Sequence, residues 1–163
     1  MRYLLIYISL MMVSIASNAQ SYQGSVSGSA TVYSIQSLEI NQSGGPIAFN
    51  TANDYFNGVT VNKYATITVK SNENWVLSFS ANSQYFTPLN KGASDQMPCD
   101  VLCIKKNNGR NFKPVATNGK NLSQGGRGNS ANNVFDIDVY LNPGFGYSGG
   151  IYSIGIVYTL TKQ

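Results

Sequence analysis

Side chains able to do acid–base chemistry are few in this chain. Its 163 residues include seven Asp and Glu residues and no His, so the side chain that titrates near neutral pH is missing. Triads that pair Ser or Cys with His, and metal sites built on His, are excluded as well. The closest carboxylates, Asp136 and Asp138, share one face of a predicted strand about 7 Å apart.

That separation would suit the two carboxylates of an inverting glycosidase. The other face of the same strand is strongly apolar, so we interpret Asp136 and Asp138 as its solvent side. Two carboxylates also supply too few oxygen ligands for Ca²⁺. The sequence therefore predicts a protein that is not an enzyme, with no catalytic residue, no cofactor and no metal site.

The two cysteines, Cys99 and Cys103, are the next candidates for chemistry. On a straight strand their Cα atoms would lie about 13 Å apart, roughly twice the distance that a disulfide spans. A disulfide would need a turn between them, which Met97 and Pro98 could begin. Because residues 101–104 suit an extended strand, we favour two free thiols packed as small hydrophobic side chains. An intrachain disulfide is the alternative.

One loop, residues 142–150, is aromatic where loops are usually polar. It carries Phe145 and Tyr147 between glycines. Aromatic faces offer apolar area to a sugar ring, and a tyrosine adds a hydroxyl group. We predict these two residues as ligand-binding residues of a glycan-binding module or adhesin. The alternative is that they fold back and cover the open end of the domain.

Six cations fall in one stretch of the chain that is rich in Gly and Asn. They are Lys105, Lys106, Arg110, Lys113, Lys120 and Arg127. A patch for an anionic polysaccharide is one interpretation, and a solvated loop and hairpin is the one we favour. No motif of interleaved basic and aromatic residues is present, so we do not expect a nucleic-acid partner.

The elements that position these side chains are predicted to be β-strands, because apolar residues recur at every second position. The clearest strands are residues 64–70, 75–81, 134–141 and 151–161, and weaker ones are 37–41, 56–61 and 101–106. Gly, Asn and Pro mark turns between them at short intervals. We predict an all-β domain over residues 36–163, an immunoglobulin-like antiparallel β-sandwich of about seven or eight strands. A small β-barrel is the alternative.

Composition supports one folded domain. Only 11% of the residues are charged, against about 25% in average proteins, yet 42% are hydrophobic. Low charge argues against disorder by charge repulsion, and a chain of this length can bury one core.

The first 19 residues have the pattern of a secretory signal peptide. Arg2 precedes an apolar run, and small residues lie before Gln20. The run is shorter than the roughly 20 residues that cross a bilayer, so we expect no transmembrane anchor once the signal is removed. The prediction is an exported protein of the periplasm, the cell surface or the medium.

Residues 20–35 are predicted to form an N-terminal strand or extension, and they alternate strictly from position 22 to position 32. The even positions hold Tyr22, Gly24, Val26, Gly28, Ala30 and Val32, and polar residues fill the odd positions between them. Such a segment can add a strand to the sheet of another molecule. We predict Tyr22, Val26, Ala30 and Val32 as assembly-strand residues. The alternatives are an edge strand of the same domain and a loose leader.

The end of the chain carries a family resemblance. In residues 149–161, Gly150 is followed two positions later by Tyr152, and an alternating strand then ends in Tyr-Thr-Leu-Thr. This pattern, with residues 69–77, resembles small secreted β-sandwich proteins of Bacteroidetes and, more distantly, the spore coat protein U and fimbrial subunit group. The resemblance implies a surface or pilus-type structural subunit assembled by strand exchange. Its partners would be other proteins or copies of itself at the cell surface, and a glycan is the partner under the alternative function.

Overall fold

The computed structural model describes residues 28–93, 96–128 and 133–163. These residues form ten β-strands, one short α-helix and one 3₁₀ turn. The elements are β1 (Gln36–Gln42), α1 (Ala52–Asn57), β2 (Val59–Ser71), β3 (Trp75–Ala81), β4 (Thr87–Pro88), the 3₁₀ turn (Cys99–Val101), β5 (Leu102–Lys106), β6 (Lys113–Pro114), β7 (Lys120–Gly125), β8 (Val134–Leu141), β9 (Tyr152–Ser153) and β10 (Ile156–Lys162).

The strands build an antiparallel β-sandwich. One sheet has the order β1-β2-β8-β5-β6, the second has the order β10-β3-β7, and β4 pairs with β9 apart from both. Seven of the ten described strands have five residues or more, and the other three have two each. The predicted all-β sandwich is confirmed, and its sheets stay open within the described residues rather than closing into a small barrel.

The core lies between the two large sheets and comes from the alternation seen in the sequence. Every second residue of β3 is buried, beginning with Trp75. The Trp75 ring lies nearly parallel to that of Phe135 on the opposite sheet, with ring centroids 6.4 Å apart. Its Nε1 donates a hydrogen bond to the carbonyl oxygen of Gly126 at 3.1 Å. The single tryptophan therefore packs the two sheets together while its polar atom is satisfied.

The strand order follows that of an immunoglobulin constant domain with one position vacant. In such domains strands A, B, E and D form one sheet, and C, F and G form the other. Here β1, β2, β8 and β5 take the places of A, B, E and D, while β3 and β10 take those of C and F. No strand of the described residues occupies the place of G beside β10. β10 is therefore an outermost strand of its sheet, and β1, like strand A, is an outermost strand of the other.

The weak strand predicted over residues 56–61 is partly wrong. Phe56 belongs to α1, and β2 begins at Val59. The Thr51 side chain accepts a hydrogen bond from the Asp54 backbone, and the Asp54 side chain accepts one from the Thr51 backbone, a capping box that starts the helix. Gly58 ends it with a φ of 72°, a conformation that favours glycine. A helix of six residues is too short for its apolar periodicity to be distinguished from that of a strand.

The predicted last strand, residues 151–161, is divided into β9 and β10. Asn82 causes the break, because its backbone N–H donates to the Gly155 carbonyl at 2.9 Å. Its side-chain oxygen accepts a hydrogen bond from the Gly155 N–H at 3.1 Å. The chain thus leaves β4 at Ser153 and joins β3 at Ile156.

The predicted signal peptide, residues 1–19, lies outside the described residues. Residues 28–35 are described and contain no strand. In the described part of the chain, no helix combines the length and the apolar character that crossing a bilayer requires.

Candidate functional site

An open groove lies on the side of the sandwich where β1 and β10 have no further strand. It has a volume of about 1000 Å³ and is mainly apolar. Residues of both sheets line it, among them Ile40, Tyr64, Ala65, Ile137, Ile156 and Tyr158. Because the two sheets are not bridged here, part of the sandwich interior is open to solvent.

The two strands that border the groove are incompletely buried. On β10 the inward-facing residues Ile156, Tyr158 and Leu160 pack against the core but stay half-buried. On β1, Ile40 is 40% exposed, although it alternates with polar residues as a core position does. Inward-facing apolar side chains of a completed sandwich are normally covered, so this edge lacks a covering element.

Polar groups in and near the groove lie in two places. Near one end, the Gln42 side-chain amide donates to the Tyr64 hydroxyl and to the Gly44 carbonyl, both at 2.9 Å. Burial, and secondarily the neighbouring Tyr64, raises the pKa of Tyr158 to about 12. At the other end of β1, outside the groove lining, the Gln36 Nε2 atom is buried and has no hydrogen-bond partner among the described residues.

The predicted assembly residues are only partly described. Tyr22 and Val26 lie outside the described residues. Ala30 and Val32 are described, belong to no strand and are exposed. Val32 leaves 81% of its surface accessible, so it is an apolar side chain that this structure leaves uncovered.

A second feature is an aromatic cluster formed by Phe49, Tyr55, Phe56 and Phe145. The Tyr55 ring stacks on Phe145 with centroids 5.2 Å apart, and Phe56 meets Phe145 edge-on at 4.9 Å. Phe49 extends the cluster through Tyr55, at 5.2 Å. The sequence pattern pointed to Phe145 but not to the other three rings, because they lie about 90 positions earlier in the chain.

Helix α1 and its anchors hold the aromatic cluster in place. The Asp54 carboxylate accepts hydrogen bonds from the backbone N–H groups of Thr51 and Asn50, at 2.8 Å each, and these bonds lower the Asp54 pKa. At the other end, the Tyr140 hydroxyl donates to the Asn57 carbonyl at 2.9 Å. Hydrogen bonds therefore fix both ends of α1.

The structure separates the two aromatic residues that the sequence paired. Phe145 is 62% exposed, whereas Tyr147 is half-buried, packs against the core and lines the groove. Phe145 has the position expected of a binding residue, and Tyr147 has the position expected of a residue that folds back on the domain.

The interpretation of Asp138 as a solvent-side residue is wrong. It is 2% exposed, and its carboxylate accepts hydrogen bonds from the Lys63 backbone at 3.0 Å and the Asn107 side chain at 2.9 Å. Lys105 Nζ lies 3.5 Å away. Burial acts to raise the Asp138 pKa, but these hydrogen bonds and the Lys105 charge outweigh it and hold the pKa below its usual value. Asp136 stays partly exposed and accepts a hydrogen bond from the Thr66 hydroxyl at 2.7 Å.

Both cysteines are free thiols. The Cys99 thiol is buried and lies 3.6 Å from the Val115 carbonyl, and the half-buried Cys103 thiol lies 3.8 Å from the Asp100 carbonyl. Burial, and then the Asp100 charge, raises the pKa of both thiols. The neutral thiol is a poor nucleophile, so the arrangement suits packing better than chemistry.

Four of the six clustered cations contact groups of the domain itself. The ammonium groups of Lys105 and Lys106 lie over the rings of Phe112 and Phe135. Those of Lys113 and Lys120 donate to the backbone carbonyls of Asn121 and Pro114.

Among the described residues, no group of three acidic, Cys or His residues is placed to hold a metal ion.

The fold and the groove define the molecule as an antiparallel β-sandwich with an open edge. No protein-family model matches the chain, and no curated protein is significantly similar to it.

Proposed function

We propose that the protein is a non-enzymatic, exported structural subunit of the cell surface that assembles by strand addition. In this proposal, residues 20–32 of one copy occupy the groove between β1 and β10 of another. The observation that carries it is the vacant strand position beside β10, where apolar interior remains uncovered.

The length of the N-terminal segment fits the groove. Strand β10 has seven residues, which span about 23 Å at 3.3 Å per residue. Residues 20–32 would span about 43 Å when extended. One copy therefore has enough chain to fill a neighbour's groove and still leave a short connection to its own domain.

The alternation of the segment also fits. From position 22 to position 32 its even positions carry only apolar residues and glycines, so one face of the extended segment can enter the sandwich while the polar face meets solvent. The strand would add backbone hydrogen bonds along the free edge of β10 and cover side chains such as Ile156 and Tyr158.

A second copy is favoured over the chain's own segment as the occupant. Folding back into the same groove needs a tight turn just before β1. Residues 31–35 contain no Gly, Pro, Asn or Asp, and Ser34 is their single residue of a type common in turns. The side chain of Asn72 also binds the backbone at both Tyr33 and Ile35.

The test compares residues 20–163 with residues 36–163 by native mass spectrometry, with and without a synthetic peptide of residues 20–35. We expect a series of oligomers for the longer protein and a monomer for the shorter one, which then binds a single peptide. Oligomers that survive the truncation, or a longer protein that stays monomeric with an empty groove, would overturn intermolecular strand addition. If the longer protein is monomeric and does not bind the peptide, its N-terminal segment occupies the groove of the same chain.

A further inference from the structure

The aromatic cluster presents apolar surface that the domain does not use for its own core. Phe56 is 72% exposed and Phe145 is 62% exposed. Tyr55 covers one face of Phe145, at an interplanar angle of 26°, so the exposed area of Phe145 belongs largely to its other face. Phe56 stands beside it at 65°. The two exposed rings therefore form two walls of a shallow corner.

Space remains around this corner. Phe145 lies between Gly144 and Gly146, and a Cβ atom built on either glycine meets no atom within 4 Å. Gly144 has a φ of 63°, a left-handed conformation that glycine adopts without strain. Open space therefore lies beside the backbone on both sides of Phe145 in this turn.

Polar groups suited to hydroxyls lie beside the apolar corner. Residues three and four positions apart share one face of a helix, so Asn53, Phe56 and Asn57 lie side by side on α1. The Asn57 amide nitrogen donates to the Asn53 oxygen at 2.7 Å. This bond leaves the Asn57 oxygen as an acceptor and the Asn53 amide as a donor. A donor next to an acceptor matches two adjacent sugar hydroxyls.

The charge around the corner is low. Asp54 is the only charged residue in α1, and residues 142–150 have none. Its carboxylate is already engaged at the start of the helix. A phosphate or sulfate group would require cations that these segments do not supply, so the chemistry points to a neutral ligand with one apolar face and hydroxyls at its edge.

We propose that the corner between Phe56 and Phe145 binds a neutral hexopyranose ring. The C–H face of the sugar packs on the open face of Phe145, and Asn53 and Asn57 bind its hydroxyls. Because Phe145 already packs against Tyr55 and Phe56, its ring loses less side-chain freedom on binding. Phe49, Tyr55 and Gly144 also line the groove, whereas Phe56 and Phe145 do not, so the sugar site adjoins the groove but uses different rings.

The experiment applies residues 20–163 to an array of neutral and acidic glycans. Saturation-transfer NMR with cellohexaose, maltohexaose and N-acetylchitohexaose then measures binding in solution. We expect at least one neutral glycan to bind, with affinity reduced about threefold to tenfold by Phe145→Ala and lost when Phe56→Ala is added. Phe145→Trp should retain binding, and Tyr85→Ala, at an exposed aromatic residue outside the cluster, should change nothing.

Three results would overturn the sugar site. They are no neutral glycan bound by the unaltered protein, equal binding by the Phe145→Ala variant, and binding confined to acidic glycans. Thermal melting of each variant verifies that it is folded. The peptide of residues 20–35 is titrated in parallel, because a variant that loses the peptide but keeps the glycan would assign Phe145 to the groove instead.

Discussion

At the scale of single residues, Asp138 joins three parts of the first sheet. It is paired with Lys105 across β8 and β5, and it also binds the backbone N–H of Lys63. Lys63 has a φ of 52° and lies where the register between β2 and β8 shifts. The buried carboxylate therefore fixes an irregular point of β2 that would otherwise leave a backbone donor unpaired.

We expect Asp138→Asn to lower the free energy of unfolding by about 1–3 kcal/mol at pH 7, because the charged acceptor that faces Lys105 is removed. The control is Asp136→Asn, two positions along the same face and more exposed, which should cost less. Urea denaturation measures both. An equal loss for the two variants would contradict the structural role of Asp138.

The acid dependence of this effect has a definite sign. The Asp138 pKa is lowered in the folded protein, so its stabilisation is present above the pKa of the unfolded chain, about 4. It is lost as the pH falls through the lower folded value. The difference between the unaltered protein and Asp138→Asn should therefore shrink in denaturation curves below about pH 4.

Tyr158 should lower the stability of the folded protein at alkaline pH. Its pKa is about 12 in the folded protein and 10.0 without the fold, so unfolded chains release its proton first as the pH rises. Stability should fall between pH 10 and 12, by about 2 kcal/mol in total from this residue. Tyr158→Phe should flatten that fall in urea denaturation curves. An unchanged slope would show that the Tyr158 hydroxyl is not shielded from water.

At the scale of elements, the sequence predicted the strands whose two faces differ in polarity. Strands β3 and β8 match their predicted bounds, because Trp75, Leu77 and Phe79 in β3 alternate with polar or smaller residues and Phe135 and Ile137 do so in β8. Strand β7 was missed because it is short and polar, with only Leu122 and Ser123 buried. Its place in the sheet comes from pairing with β3, which alternation cannot show.

Strand β10 offers a test of the groove within one element. Ile156 faces the groove, while its neighbour Val157 faces outward and is 48% exposed. In residues 36–163, we expect Ile156→Asp to weaken binding of the 20–35 peptide by at least tenfold, because a buried charge would oppose the incoming strand. Val157→Asp adds the same charge to the other face and should bind nearly normally. Isothermal titration calorimetry measures both, and equal affinities would argue against the groove as the binding site.

At the scale of the whole molecule, both candidate sites arise from topology rather than from motifs. The groove exists because the place beside β10 is vacant, a feature that depends on strand order and not on any local pattern. The aromatic cluster joins Phe145 to Tyr55 and Phe56, which the fold brings from a distant segment. Local alternation predicted the class of fold and one ring of the cluster, but the relative placement of the segments required the structure.

The final prediction concerns assembly of intact chains. In residues 20–163, we expect Val26→Asp to shift the oligomer distribution to monomers, because its carboxylate would enter an apolar groove. Ser27→Asp introduces the same charge one position along, on the face that alternation directs to solvent, and should leave the oligomers intact. Both changes lie outside the sandwich domain, so they should alter assembly without altering the melting temperature of the 36–163 domain. Analytical ultracentrifugation measures the distribution. If the two variants dissociate to the same extent, the added charge itself weakens assembly, whichever face carries it. That result would contradict insertion of one face of the segment into the groove.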